Sequence, residues 1–120
     1  MSLLKTIVQN PVEAPRESRV APERLVEGNP LLKAWPAELA ADGRIKTGIF
    51  ESTPGVNKSI KGDTFEFCYL LEGVAELTPE GGEPVIYRAG DSFVMKPGYR
   101  GLWRTIETVK KIYVVVEGVS

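Results

Sequence analysis

From residue 44 onward, apolar and polar positions alternate along the chain. Between Thr64 and Glu72, Phe65, Phe67, Tyr69 and Leu71 share one parity, while Thr64, Glu66, Cys68, Leu70 and Glu72 share the other. Successive side chains of a strand point to opposite faces, so this segment predicts a strand with one bulky apolar face. Its other face is mixed, with a carboxylate beside a thiol, as suits a wall that looks into a barrel. Similar short runs recur: RIKTGIFEST, VAELT, PVIYR, DSFVMK, LWRTIET and VKKIYVVVEG, separated by TPG, PEGGEP, AG and PGYRG. Short strands with turn signals every ~8–12 residues predict an all-β sandwich or barrel. No amphipathic helical run, internal repeat or low-complexity segment interrupts the pattern. PEGGEP is not a phosphate loop, since no helix follows it and it lacks the Lys-Ser/Thr ending.

Residues 1–43 have a different texture, with Pro11, Pro15, Pro22, Pro30 and Pro36 spread through them. Too few large apolar residues are present for a separate core. This segment is expected to be an extended Pro-rich N-terminal arm that wraps a barrel formed by residues 44–120, the two making one structural domain. Within the arm, Leu3 to Gln9 could form a short strand. Pro22 to Gly28 could form one helical turn, with proline near its start and glycine at its end.

Composition narrows the function. A chain of 120 residues is one domain and can bury a sizeable core. Its formal charge of −1 gives no global pull toward nucleic acid or an anionic membrane. No apolar run approaches the ~20 residues of a membrane span, and the start is too quickly polar for a signal peptide. The single cysteine, Cys68, excludes an internal disulfide and fits a cytoplasmic location. There is no histidine, which removes His-based triads and every His-containing zinc site.

The quoted segments resemble the cupin superfamily. Its first motif ends in a glutamate, six residues and a glycine, matched by Glu66 and Gly73 with CYLLEG between and around them. Its second opens at Gly90 and Asp91 and carries its inner glycine at Gly98, with the usual proline displaced to Pro97. TGIFESTPG, EFCYLLEG, AGDSFVMKPGYRGLW and ETVKKIYVV, spanning 44–116, are similar to the small single-domain cupin type 3 subgroup. That subgroup is related to ureidoglycine aminohydrolase and to ethanolamine-utilisation protein Q. The resemblance implies a jelly-roll (cupin) double-stranded β-barrel and a homodimer. It also implies a metal held by two histidines, a glutamate and a third histidine. The first pair falls at Ile60 and Gly62, or at Ser59 and Lys61 with the longer spacing. The third falls at Gly101, and the motif's asparagine at Thr105. Only Glu66 remains, and one carboxylate with one thiol is short of the three or four ligands a divalent site needs. No metal and no cofactor are expected.

Candidate pocket residues are therefore Glu66, Cys68, Arg100 and Trp103. Glu66 is either an acid, base or ligand anchor with a pKa raised by burial, or a carboxylate satisfied by a barrel lysine or arginine. Cys68 has no histidine to activate it and fits a buried filler. Trp103 could be a stacking wall or a plug. Lys96, Arg100 and Arg104 could draw an anion to the barrel mouth or form a solvated rim, with Arg104 expected to point outward. The stripe of Phe65, Phe67 and Tyr69 is core, or, if it faces outward, a dimer surface. The leading expectation is a metal-free barrel binding a small polar or anionic metabolite. The alternatives are an enzyme acting on a small metabolite through Glu66 alone, and a dimeric structural or regulatory protein with a filled barrel.

Overall fold

A computed structural model describes residues 2–119. Among them the regular structure is entirely β: β1 (Arg16–Arg19), β2 (Leu25–Gly28), β3 (Leu31–Ala40), β4 (Ile45–Ser52), β5 (Gly55–Ile60), β6 (Phe65–Pro79), β7 (Val85–Arg88), β8 (Ser92–Met95) and β9 (Arg100–Val116). All pairings are antiparallel, and they join the strands into one curled sheet. None of the described segments is a helix long and apolar enough to cross a membrane.

The two longest strands form the spine. β9 pairs along its length with β6, while its other edge takes β5 over Arg100–Thr105 and β4 over Val109–Val116. β6 in turn carries β8 and then β7 on its far edge. Register shifts between Leu70 and Ala75 bend the pair and curl the sheet. At this bend Gly73 adopts φ +91°, and a Cβ there would collide with the Thr108 carbonyl. Only glycine meets both demands.

Alternation assigns the faces as the sequence pattern indicated. Glu66, Cys68 and Leu70 of β6 are buried, as are Trp103, Thr105, Val109 and Lys111 of β9. Cys68, Leu70, Ala75, Leu77, Met95, Trp103 and Val109 make the core, with Tyr87, Phe93 and Tyr99 packed against it. Phe65, Phe67 and Tyr69 lie on the opposite, outer face, half-buried.

The proline-rich segment does more than wrap. It supplies three strands, β1 to β3, and β3 pairs with β4 along most of its length. Pro36 is tolerated inside β3 because β1 covers only Leu31–Ala34, so its missing N–H faces no partner strand. A register shift follows it, between Pro36 and Glu38. Residues 21–25 close a single turn, with the Leu25 amide donating to the Ala21 carbonyl at 3.0 Å. No helix follows; Leu25 enters β2 directly, because β5 offers it an edge to pair with. Leu3 to Gln9 form no strand. The arm is tied down further along: Trp35 Nε1 donates to the Glu13 carbonyl, and Lys110 Nζ to Asn10 Oδ1, each at 2.9 Å.

Candidate ligand-binding site around Glu66

β6 turns Glu66 into the barrel, where it is 7% exposed. Two ammonium groups meet it there. Lys61, on the loop between β5 and β6, reaches Oε1 at 2.5 Å, and Lys111 of β9 reaches Oε2 at 3.0 Å. The Cys68 thiol also donates to Oε2, at 3.2 Å, while its sulfur accepts from Lys111 Nζ at 3.6 Å. Lys111 sits over the Trp103 ring, 4.5 Å from its centroid, and 5.1 Å from that of Phe50. Such cation–π contacts strengthen as water is removed. The indole N–H of Trp103 is satisfied by Thr105 Oγ1 at 3.0 Å.

The charge states follow from these contacts. Burial alone would raise the Glu66 pKa, as the sequence suggested, but the Lys111 and Lys61 charges and hydrogen bonds outweigh it and bring it down to about 2. Glu66 is thus ionised at neutral pH. Burial pushes the Cys68 thiol up to about 12, so it is a protonated donor and not a nucleophile. Burial would lower the Lys111 pKa, yet the Cys68 and Glu66 contacts raise it, which keeps the ammonium charged.

Beside this cluster lies a cavity of about 290 Å³. Glu66, Lys61, Lys111 and Trp103 line it, and Leu32, Phe50 and Met95 add apolar wall. Arg19, Arg24 and Lys58 complete its charged lining. Of the four pocket residues expected from the sequence, Glu66 and Trp103 are here. Cys68 is fully buried in the wall behind Glu66. Arg100 lies elsewhere, because its parity on β9 is that of Leu102 and Arg104, away from Trp103. It is exposed, pairs with Glu80 at 3.5 Å and borders a separate groove. Arg104 also points outward, to Glu27 and Glu76, and Lys96 is exposed.

Sequence reasoning missed Lys58, Lys111 and the two arginines, and saw Lys61 only as a position where a motif histidine is replaced. Counting alternate residues onward from Trp103 and Thr105 would have found Lys111, a lysine on the inward parity of a long strand. Arg19 and Arg24 carried no local signal, since they arrive only when the N-terminal strands pair onto the barrel.

The residues do not fit the divalent metal that the cupin resemblance implies. Ser59 and Lys61, at the longer of the two histidine spacings, do face the cavity, but one is a hydroxyl and the other a cation. At Gly101 a Cβ would collide with the Thr78 carbonyl oxygen, leaving no room for a side chain. Both Glu66 oxygens already hold ammonium groups. Among the described residues, no three His, Cys, Asp or Glu side chains are grouped to hold an ion.

Comparison with known proteins agrees with this architecture. No curated protein matches the chain. A protein of unknown function from Pseudomonas syringae, assigned to the DUF861 family, superposes with a TM-score of 0.77 at 22% identity. The match covers 88% of this chain but 45% of that one, so this chain spans under half its length. A DUF861 family protein from Thermotoga maritima is 35% identical over 54% of this chain and 73% of its own, with a TM-score of 0.51. The Clostridium difficile EutQ protein matches at 15% identity and a TM-score of 0.63, over 73% of this chain and 64% of its own. The family model of the EutQ-like cupin domain matches residues 39–113, from the end of β3 into β9. The chain belongs to the EutQ-like cupin domain family.

Proposed function

We propose that this cupin binds a small anionic metabolite, without a metal, in the cavity beside Glu66. One observation carries the proposal: the cavity lining holds five basic side chains (Arg19, Arg24, Lys58, Lys61 and Lys111) and one acidic one, Glu66. The lining is thus formally +4 (five minus one) in a chain whose net charge is −1. A concave site lined by one sign of charge focuses potential and concentrates oppositely charged ligands. Apolar walls with a few convergent polar groups are the usual make-up of a metabolite pocket, and the volume sits near the lower end of the roughly 300–1,000 Å³ range. Binding is favoured over catalysis by Glu66, because a carboxylate with a pKa of about 2 is a weak general base near neutrality.

The test is calorimetry with succinate, benzoate and inorganic phosphate, with choline as a cationic control, at low and physiological salt. One or more of the anions is expected to bind with an affinity that falls as salt rises, and choline is expected not to bind. Failure of all three anions to bind would sink the proposal, whether or not choline binds.

The outer face favours a homodimer. Three rows cross it: Ile45, Val116 and Phe65; Thr47, Val114, Phe67 and Val94; and Ile112, Tyr69 and Ser92, the last row continuing to Ile49, which is already buried. None carries a charge. The uncharged patch ends at the charged row Glu51, Lys110 and Glu72 of the same face. It matches the apolar core of homodimer interfaces, where one patch meets its own copy across a two-fold axis. Light scattering after size exclusion should give twice the chain mass, and Phe67→Asp should give a monomer. A monomeric wild type removes this part of the proposal.

A further inference from the structure

We infer that the ligand is a monocarboxylate with an apolar body of the size of benzoate or pentanoate, a class that rests on the anion-binding proposal above. The cavity lining is of two kinds. β3 and β4 supply Leu32 and Phe50, which remain half-buried where the neighbouring Met95 and Trp103 are only 2% and 7% exposed. Phe50 is turned inward by its register with Lys111, whose ammonium lies 5.1 Å from the ring centroid. Apolar surface left accessible on a pocket wall is what an apolar ligand gains by covering. Inorganic phosphate would leave it in water.

The cations come from other elements. Arg19 ends β1, Arg24 lies in the turn before β2, and Lys61 follows β5. The Arg24 carbonyl accepts from the Lys58 amide at 2.7 Å, which ties that turn to β5. Arg19 donates to the Asn29 carbonyl at 2.8 Å. Neither arginine joins an ion pair among the described residues. Their remaining N–H groups form planar forks that match a carboxylate. One carboxylate suits the site better than two, because the ionised Glu66 also lines the cavity and repels a second anionic group beside it. Size agrees. An apolar cavity of about 150 Å³ accepts benzene. At about 290 Å³ this one holds such a body together with its carboxylate.

The experiment is calorimetry with acetate, pentanoate, benzoate, succinate and inorganic phosphate. Each methylene buried against an apolar wall strengthens binding by about fourfold. Pentanoate and benzoate should therefore bind the wild type at least about tenfold more tightly than acetate, and more tightly than succinate. Leu32→Asn and Phe50→Ala should each narrow the gap between benzoate and acetate about threefold or more, whereas Arg19→Gln/Arg24→Gln should weaken benzoate and pentanoate alike, about tenfold or more. The wild-type series decides even where a variant fails to fold. Benzoate and pentanoate no tighter than acetate, or succinate or phosphate binding where they do not, overturns the ligand class and leaves the anion proposal standing. A benzoate–acetate gap unchanged in both folded apolar variants overturns it as well, and unchanged affinity in the folded arginine double variant overturns the placing of the carboxylate. If none of succinate, benzoate and phosphate binds the wild type, the anion proposal itself falls and takes the ligand class with it.

Discussion

Replacing Glu66 by glutamine keeps the shape of the side chain and removes its charge, and the structure gives the cost. Glutamate presents two acceptor oxygens, one to each lysine, at 2.5 and 3.0 Å. Glutamine has one acceptor and one NH₂ donor. Whichever way the amide turns, one ammonium then faces a donor. The group is 7% exposed, and Lys111 is equally buried, so water does little to relieve the conflict. Breaking a buried ion pair by removing one partner costs about 3–5 kcal/mol, because the remaining charge is left uncompensated. A domain of this size has about 5–15 kcal/mol of stability to lose. Urea unfolding at pH 7, followed by tryptophan fluorescence, reports the change. With m near 2 kcal/mol/M, a typical value for small domains, the midpoint should fall by roughly 2 M, and the melting temperature by roughly 15 °C. The double variant Glu66→Gln/Lys61→Met should recover part of the loss, since it removes one of the two stranded cations. A loss below about 1 kcal/mol for Glu66→Gln would refute the reasoning, placing the three charges in water rather than in a dry cluster.

The folded-state pKa of Glu66, about 2, lies below its ordinary 4.5. Its contribution to stability is therefore present above pH 4.5 and disappears as pH falls toward 2. Over that window the wild type should lose about 3 kcal/mol that Glu66→Gln does not lose, measurable by urea unfolding at stepped pH. Cys68, fully buried and with a pKa pushed to about 12, should resist a thiol-labelling reagent at pH 8 in the native protein and react fully in urea. Native labelling as fast as a free thiol would contradict its placement. Gly101→Ala should destabilise by about 1–3 kcal/mol or more, since its Cβ meets the Thr78 carbonyl. A neutral effect in thermal melting would show that the β9–β6 contact has slack.

How much of this was readable beforehand depended on which residues were local to one strand. The faces of β6 follow from the alternation at 64–72, and they place Glu66 and Cys68 inward without any knowledge of the partner strands. Arg100 needed more. It stands beside the PGYRG loop, where sequence gives no parity until Trp103 and Thr105 anchor β9. Lys110 and Lys111 illustrate the same difficulty. The two are adjacent and identical, yet the first pairs with Glu72 outside at 3.9 Å and the second is buried against Glu66. A one-residue slip would exchange them. The N-terminal strands were the least legible. Their prolines argue against strand, and only tertiary pairing reveals that Pro36 sits where no hydrogen bond is missed. With those strands the arginines of the cavity were also out of reach.

The cluster is a poor way to make a barrel stable, and that bears on what it is for. Two ammonium groups, a carboxylate and a thiol occupy space that leucine and methionine would fill at no desolvation cost. Replacing buried ion pairs by well-packed apolar residues is often neutral or stabilising. A filled, structural barrel therefore has no use for Lys61, which is only partly enclosed and makes a single contact. A barrel that receives an anion does. It needs a charge already dehydrated and fixed in direction, so that binding does not have to organise it. Glu66 is what makes this possible, since it is the counter-charge that keeps the fully buried Lys111 ammonium charged and holds Lys61 in place. On this argument the carboxylate matching the cupin motif serves as the anchor for cations that belong to the chain itself.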